Sequence, residues 1–494
     1  MELYKKTAVE LSDLIRKKEV RPSEICESFL ARHDASRDLN AYLHLDGDAI
    51  VAQAKILDSE KITDETPRIF GLPVAIKDNI CTKGIPTTCA SKMLENFIPP
   101  YDATAVSRLK SQGAVIFGKT NMDEFAMGGG CAAKSASGNG TRNAPASDVS
   151  TVPTSRLARN PHDPSRTPGG SSSGGAAAVG AQSALFSLCS DTGGSIRQPA
   201  SHCGVVGYKP TYGAVSRYGL LAYAGSFDQI GPIARTVSDA ALLASAIVGH
   251  DPLDSKSDPS AKLDFSQIEH FDMRGKKIGL LTECFANIDA DIESAVTNAA
   301  KTYESLGASV EKISIPLIEN CLPIYYTIAL AEAASSFSRY DGVSYGYRTA
   351  NAESIDDLYV KSRTEGFGSV VKQRLWLGTY LLSAGCYEKY FEKALAARAM
   401  LTARFVEAFE KYDFLLAPVS PKGAYKLEES PPAAEAWRLD KCTVPANLAG
   451  LPAISVPCGH DANNMPVGVQ LLAGRFNDAT LLGAARAFEK AGFV

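Results

Sequence analysis

Between Gly128 and Gly231 the chain concentrates glycine, serine, alanine and threonine, and this stretch limits the possible folds more than any other. Two blocks stand out in it: Pro168-Gly169-Gly170-Ser171-Ser172-Ser173-Gly174-Gly175 and Asp191-Thr192-Gly193-Gly194-Ser195. Glycine opens backbone angles closed to other residues and lets a second backbone or a ligand approach closely. Such blocks read as turns held by a scaffold, and the flanking pattern indicates which scaffold. Residues 70–77 form a short apolar run ending in Lys77, residues 105–110 have helical periodicity, and residues 113–118 are apolar again. Strand, helix, strand implies an α/β fold. The alternation resumes past Asp251, with a strand at 277–281, a helix over 290–306 and a strand at 309–313. Late strands are expected at 414–417, 453–456 and 467–470, with a closing helix from Ala479. The alanine-rich stretch 176–188 predicts a helix between the two Gly/Ser blocks.

No internal repeat and no clean linker divides the 494 residues. The expectation is one large α/β domain with a mixed central sheet flanked by helices. Its parts are N-terminal helices over 1–65, a core over 66–250, a mostly helical insert over 318–412, and a return to the core over 413–494. Lys plus Arg is 51 against 55 Asp plus Glu, a formal net charge of −4, whereas a protein gripping nucleic acid over a broad face shows a basic excess. Any RNA this chain serves is therefore expected to be held mainly by another subunit. Eleven cysteines, an odd number without a CxxC pair, argue against a disulfide framework and a zinc site and suit a reducing compartment. No run of 18 apolar residues occurs, so no transmembrane helix is expected, and the charged start resembles neither a secretory signal nor a transit peptide. A cytoplasmic setting follows as the expectation, or an organelle if a transit peptide was removed.

Four chemistries compete for the Gly/Ser region. A phosphate loop needs Gly-Lys-Ser/Thr ahead of a helix, and the region lacks it. Gly170 to Gly174 matches G-x-S-x-G in form, but polar, proline-bearing residues 160–167 stand where that motif needs a strand. Asp191-Thr192-Gly193 fits an aspartic protease only if a second copy supplies the other carboxylate. The fourth reading makes the serines one machine. A serine hydroxyl needs a base to become a nucleophile. No histidine lies in a Gly-rich motif, whereas a lysine kept neutral by burial can serve, and Lys77 closes an apolar strand.

On these residues the sequence resembles the amidase signature family. The resemblance is carried by Gly71-Leu72-Pro73-Val74-Ala75-Ile76-Lys77-Asp78, by the block from Gly169 to Gly175, and by Asp191-Thr192-Gly193-Gly194-Ser195-Ile196-Arg197-Gln198-Pro199. Asn121 to Gly128, Gly207 to Gly219, Ser226 to Pro232 and Gly342 to Arg348 extend it to the glutamine-hydrolysing subunits of the aspartyl/glutamyl-tRNA amidotransferases. The resemblance implies a Ser–cis-Ser–Lys triad: Lys77 as base, Ser171 as bridging serine and Ser195 as nucleophile. Ser172 is the second choice for the bridge. It places the oxyanion hole on the backbone N–H groups of Thr192, Gly193, Gly194 and Ser195. It points to Arg374 for the carboxylate of glutamine and Asp440 for its amino group, with no metal. It implies partner subunits B and C in a heterotrimer, a misacylated tRNA held mainly by the partner, and ATP and magnesium used by the partner subunit. The same triad would equally serve a free-standing amidase acting on a small carboxamide.

Two features depart from the family's pattern. Ser173 stands where a glycine is usual, which would strain the backbone if a positive φ is required there. Residues 144–159 read as an insertion, expected to be an exposed loop close in sequence to the triad.

Overall fold

The computed structural model describes residues 2–128, 157–261, 263–429 and 431–492. An eleven-stranded mixed sheet runs through the molecule. In chain order its strands are β1 (Tyr42–His44), β2 (Pro73–Lys77), β3 (Val115–Thr120), β4 (Phe186–Asp191), β5 (Val206–Lys209), β6 (Gln229–Ala234), β7 (Lys277–Leu281), β8 (Ser309–Ile313), β9 (Phe414–Pro418), β10 (Ala453–His460) and β11 (Pro466–Leu472). Across the sheet they stand in the order β1-β3-β2-β4-β6-β5-β10-β11-β9-β7-β8. β2 pairs parallel with β3 and β4, β7 pairs parallel with β8 and β9, and the middle of the sheet, β4 through β9, is antiparallel. This is the single α/β domain with a mixed, helix-flanked sheet that the sequence implies.

Local signals account for the element ends. Thr7 and Glu10 form a reciprocal capping box ahead of helix Ala8–Arg16, and Pro22 sits in the first turn of helix Pro22–Asp34, where its missing N–H costs nothing. β2, β3, β4, β6 and β9 are buried along their whole length, as strands covered on both faces must be. One core packs Ile454, Val469 and Leu471 of the sheet with Leu243, Leu481 and Phe488 of the flanking helices. A second joins the sheet to the insert, whose helices Cys321–Ser336, Ser369–Leu381 and Glu392–Lys411 contribute Ile328, Val371 and Phe405 among others. Among the described residues no helix is long and apolar enough to cross a membrane.

The expected helix over 176–188 needs correction. The helix runs Ser173–Gly180, Gln182 takes a left-handed φ of 60°, and residues 186–191 are β4. Alanine propensity suggested a longer helix, but Phe186 and Leu188 pair between β2 and β6, and tertiary pairing overrides propensity. β5 and β6 were hidden as well, since a glycine interrupts each short apolar run. Ser173 lies in the first turn of this helix and not among the positive-φ residues, so the strain feared there does not arise. Gly174 next to it is the position that tolerates no side chain, since a Cβ would fall 2.3 Å from the Ala41 carbonyl. Residues 144–156 of the expected insertion lie outside the described residues. Its last positions are not exposed: Leu157 and Ala158 are buried, and Arg159 N–H donates to the Leu39 carbonyl.

Leu471 is fully buried in β11, near the middle of the sheet. Leu471→Ala is expected to cost about 2–5 kcal/mol of stability through lost burial and an unfilled cavity. Urea unfolding monitored by circular dichroism measures this, and a loss under about 1 kcal/mol would contradict the packing described.

Candidate active site

Lys77 is the last residue of β2 and has no exposed surface. Its Nζ donates to Ser171 Oγ at 2.8 Å and to the Ser190 carbonyl, at the end of β4, at 3.2 Å. Among the described residues no carboxylate forms an ion pair with it. Burial penalises the ammonium and pulls its pKa down to about 8, against weaker upward pulls from Cys189, Asp123, Asp191 and Asp228. A neutral amine is thus accessible near physiological pH, as a general base requires.

Ser171 follows a cis peptide bond from Gly170. Gly170 N–H donates to Gln198 Oε1 at 2.8 Å, and the Ser171 carbonyl accepts from Asp123 N–H at 3.2 Å. The neighbouring Ser172 turns its hydroxyl to the Ser190 carbonyl at 3.2 Å, while its N–H donates to the Ser195 carbonyl at 3.1 Å. Of the two serines, Ser171 is therefore the one whose hydroxyl meets the lysine. Ser195 lies on the turn after β4 and, at 8% exposure, is the triad position open to solvent, since Lys77 and Ser171 are fully buried.

Asp191 organises that turn. Its Oδ1 accepts from Gly194 N–H at 2.8 Å, Arg197 Nη2 at 3.1 Å and Asn447 Nδ2 at 2.8 Å. Its Oδ2 accepts from Ile196 N–H at 3.1 Å and Arg197 Nε at 3.2 Å. Burial opposes the charge, but the Arg197 guanidinium and these donors hold the carboxyl far below its ordinary range. Arg197, itself fully buried, reaches on to the Thr443 carbonyl and Gln470 Oε1, both at 3.0 Å. Gly194 has φ +133°, and a Cβ there would stand 2.3 Å from Thr443 Oγ1. Thr443 Oγ1 in turn donates to the Gly193 carbonyl at 2.6 Å.

This brace corrects part of the expected oxyanion hole. Gly194 N–H is already taken up by Asp191 Oδ1. Among the described residues no hydrogen-bond acceptor is found for the N–H groups of Thr192, Gly193 and Ser195, which leaves them as donors.

Arg374 and Asp440 come from the insert and from the segment before helix Val444–Leu448, and both reach the same cluster. Arg374, on helix Ser369–Leu381, is buried. Its Nη1 donates to Tyr223 Oη at 3.1 Å, and its guanidinium lies 5.7 Å from the ring centres of both Tyr223 and Tyr326. Its Nε has no partner among the described residues. Tyr326 Oη donates to Asp440 Oδ2 at 2.6 Å, and loss of solvent pushes the Asp440 carboxyl up to about 7. Thr443, which holds the Gly193 carbonyl, also bonds to the Asp440 carbonyl, at 3.1 Å, so the cluster abuts the Ser195 turn. Tyr326 further lines an apolar cavity of about 510 Å³ together with Leu322, Leu377, Tyr380 and Trp437. A cation and a carboxylate, both desolvated and both within reach of Tyr326, suit a zwitterionic ligand.

Sequence reasoning missed Asn447, Thr443 and Gln470 as braces, Tyr223 and Tyr326 as walls, and Asp228, which accepts from Thr192 Oγ1 at 2.6 Å. It also passed over Gly118-Lys119-Thr120, the tail of a phosphate-loop pattern. In the structure that tripeptide ends β3, and Lys119 is buried, donating to the Ile80 carbonyl and Thr87 Oγ1 and facing Asp78 Oδ1 at 3.5 Å. It pins the turn after Lys77. Among the described residues no group of three or more metal-ligating side chains occurs.

A desolvated lysine on a buried serine, beside a glycine turn that presents a second serine and free amides, is the equipment of an amide-cleaving hydrolase. The chain belongs to the amidase family, whose model matches residues 24–482. The A-subunit of the Glutamyl-tRNA(Gln) amidotransferase of Halothermothrix orenii is 48% identical over 99% of this chain and 98% of its own length. Its counterpart from Caldanaerobacter subterraneus subsp. tengcongensis is 47% identical over 99% and 97%. The solved A-subunit of the Thermotoga maritima Glutamyl-tRNA(Gln) amidotransferase superposes with a TM-score of 0.78 at 39% identity, covering 99% of this chain and 95% of that one. The native peptide amidase of Stenotrophomonas maltophilia superposes at 0.80 with 28% identity, covering 98% and 96%.

Replacing Arg197 with alanine would leave Asp191 buried without its cation. Arg197→Ala is expected to cost about 3–5 kcal/mol and to lower the melting temperature. Calorimetry checks this, and an unchanged melting temperature would show that the brace carries no weight.

Proposed function

We propose that this chain is the glutamine-hydrolysing subunit of a tRNA-dependent amidotransferase. It would supply ammonia for converting Glu-tRNA(Gln), Asp-tRNA(Asn) or both to the amidated form. The observation that carries this reading is identity near 48% along essentially the full length of relatives bearing the amidotransferase name. In this reading the chain works in the cytoplasm in a heterotrimer with subunits B and C. The partner holds the misacylated tRNA and uses ATP and magnesium, which agrees with a net charge of −4 here.

The chemistry follows the site. Arg374 grips the α-carboxylate of glutamine and Asp440 its α-ammonium. Neutral Lys77 draws the proton from Ser171, Ser171 draws one from Ser195, and Ser195 Oγ attacks the side-chain carboxamide carbon. The N–H groups of Gly193 and Ser195 take the oxyanion. Protons return along the same path to the leaving nitrogen, ammonia departs, and water hydrolyses the acyl-serine to release glutamate.

Ser195→Ala is expected to lower glutamine hydrolysis about a thousandfold or more, with the fold retained. The pH dependence has a defined sign. A lysine with a lowered pKa acts as a base only above it, so kcat rises as pH increases through about 8. The raised Asp440 carboxyl must be ionised to hold an ammonium, so KM falls as pH increases through about 7. Ammonia release, measured for the chain alone and with candidate B and C subunits and charged tRNA, tests the assignment. Full Ser195→Ala activity would refute the mechanism. Rapid hydrolysis of simple amides, with no turnover of glutamine in any assembly, would favour a free-standing amidase.

A further inference from the structure

The Ser195 turn and the Arg374 cluster lie on different parts of the chain, and for one substrate to serve both, the distance between them must be fixed. Thr443 ties the turn to the Asp440 side of the cluster, and a second side chain reaches toward the Arg374 side. Asp228, just ahead of β6, is buried, and its Oδ1 accepts from Thr192 Oγ1 on the nucleophile turn at 2.6 Å. Its Oδ2 accepts the backbone N–H of Tyr223 at 2.9 Å and of Ala224 at 3.0 Å. Tyr223 then accepts from Arg374 Nη1 at 3.1 Å and lays its ring beside the guanidinium. A continuous path of short contacts thus runs from the turn that presents the nucleophile to the cation that faces the substrate. The far side of the Tyr223 segment is tied down as well. Tyr212 Oη donates to the Gly225 carbonyl at 2.7 Å, Ser226 N–H donates to Glu332 Oε2 at 2.9 Å, and Arg398 Nη2 donates to the Ser226 carbonyl at 3.2 Å. With its outer edge pinned, the segment has Asp228 as its link to the nucleophile turn.

We propose that Asp228 is a positioning residue that sets the register between the Ser195 turn and the Arg374 subsite, so that a substrate anchored at Arg374 presents its carboxamide at attacking distance. This rests on the reading above, in which Arg374 holds the substrate carboxylate. Asp228 touches neither substrate nor reacting atoms. Its effect is on geometry, and a displacement of about 1 Å between anchored substrate and nucleophile costs about a hundredfold in rate.

The test compares glutamine with propionamide, a carboxamide that lacks the α-carboxylate and so makes no use of Arg374. Asp228→Asn keeps the side chain's shape but replaces one acceptor oxygen with a donor. It is expected to lower kcat for glutamine about 10- to 100-fold, with KM changed less than about threefold and propionamide turnover unchanged. In an Arg374→Ala background, Asp228→Asn is expected to cost nothing further. Tyr223→Phe cuts the path at its other end and is expected to lower kcat for glutamine in the same way. It reads the proposal independently if Asp228→Asn does not fold. Equal losses on both amides, or a full additional loss in the Arg374→Ala background, would overturn the proposal and leave Asp228 a general support of the fold. An Arg374→Ala variant with unchanged KM for glutamine would instead refute the substrate subsite, an outcome separable from the first.

Discussion

The buried pair of Asp191 and Arg197 is the contact on which the rest of the site depends. A charged carboxylate without solvent is costly, and here the cost is offset by a guanidinium, two backbone N–H groups of its own turn and the Asn447 amide. The same bonds bend the chain so that Ser195 is presented and the Gly193 and Ser195 amides stay free. A buried ion pair is weak evidence for stability as such, because an apolar replacement of equal volume can be as stable. This pair instead imposes a shape, fixing which amides are spent on the fold and which remain for chemistry.

Lys77 poses the opposite problem. It is buried with no ion-pair partner among the described residues, donating to one hydroxyl and one carbonyl, and loss of solvent lowers its pKa. Lys119 is equally buried but faces the Asp78 carboxylate and anchors a turn. Two lysines at the ends of adjacent parallel strands thus do different work, and the difference lies in what each Nζ meets.

The sequence made the α/β alternation plain wherever a strand kept an apolar run between turn residues, as at β2, β7, β8 and β9. It concealed β4 because two serines, a cysteine and an aspartate break its apolar run, and alanines just ahead of it favour helix. Lys77, Ser171 and Ser195 stood out because they sit in long, compositionally odd motifs, and the contact of Lys77 with Ser171 is present in the structure. The brace was not. Asn447, Thr443 and Gln470 reach Asp191 and Arg197 across more than 240 residues, and nothing local in an asparagine before Leu448 or a glutamine within β11 marks a partner so distant. The expected four-amide oxyanion hole lost Gly194 for the same reason: which amide is free depends on where a carboxylate three residues earlier points.

The residues that steady the Ser195 turn are made well after the turn itself. Gln470 in β11 and Asn447 and Thr443 just before β10 are translated long after Ser195. A chain translated only as far as β5 therefore holds Lys77, Ser171 and Ser195 but lacks the frame that orients them. The order of translation keeps the Ser195 turn unbraced until Gln470 has been made.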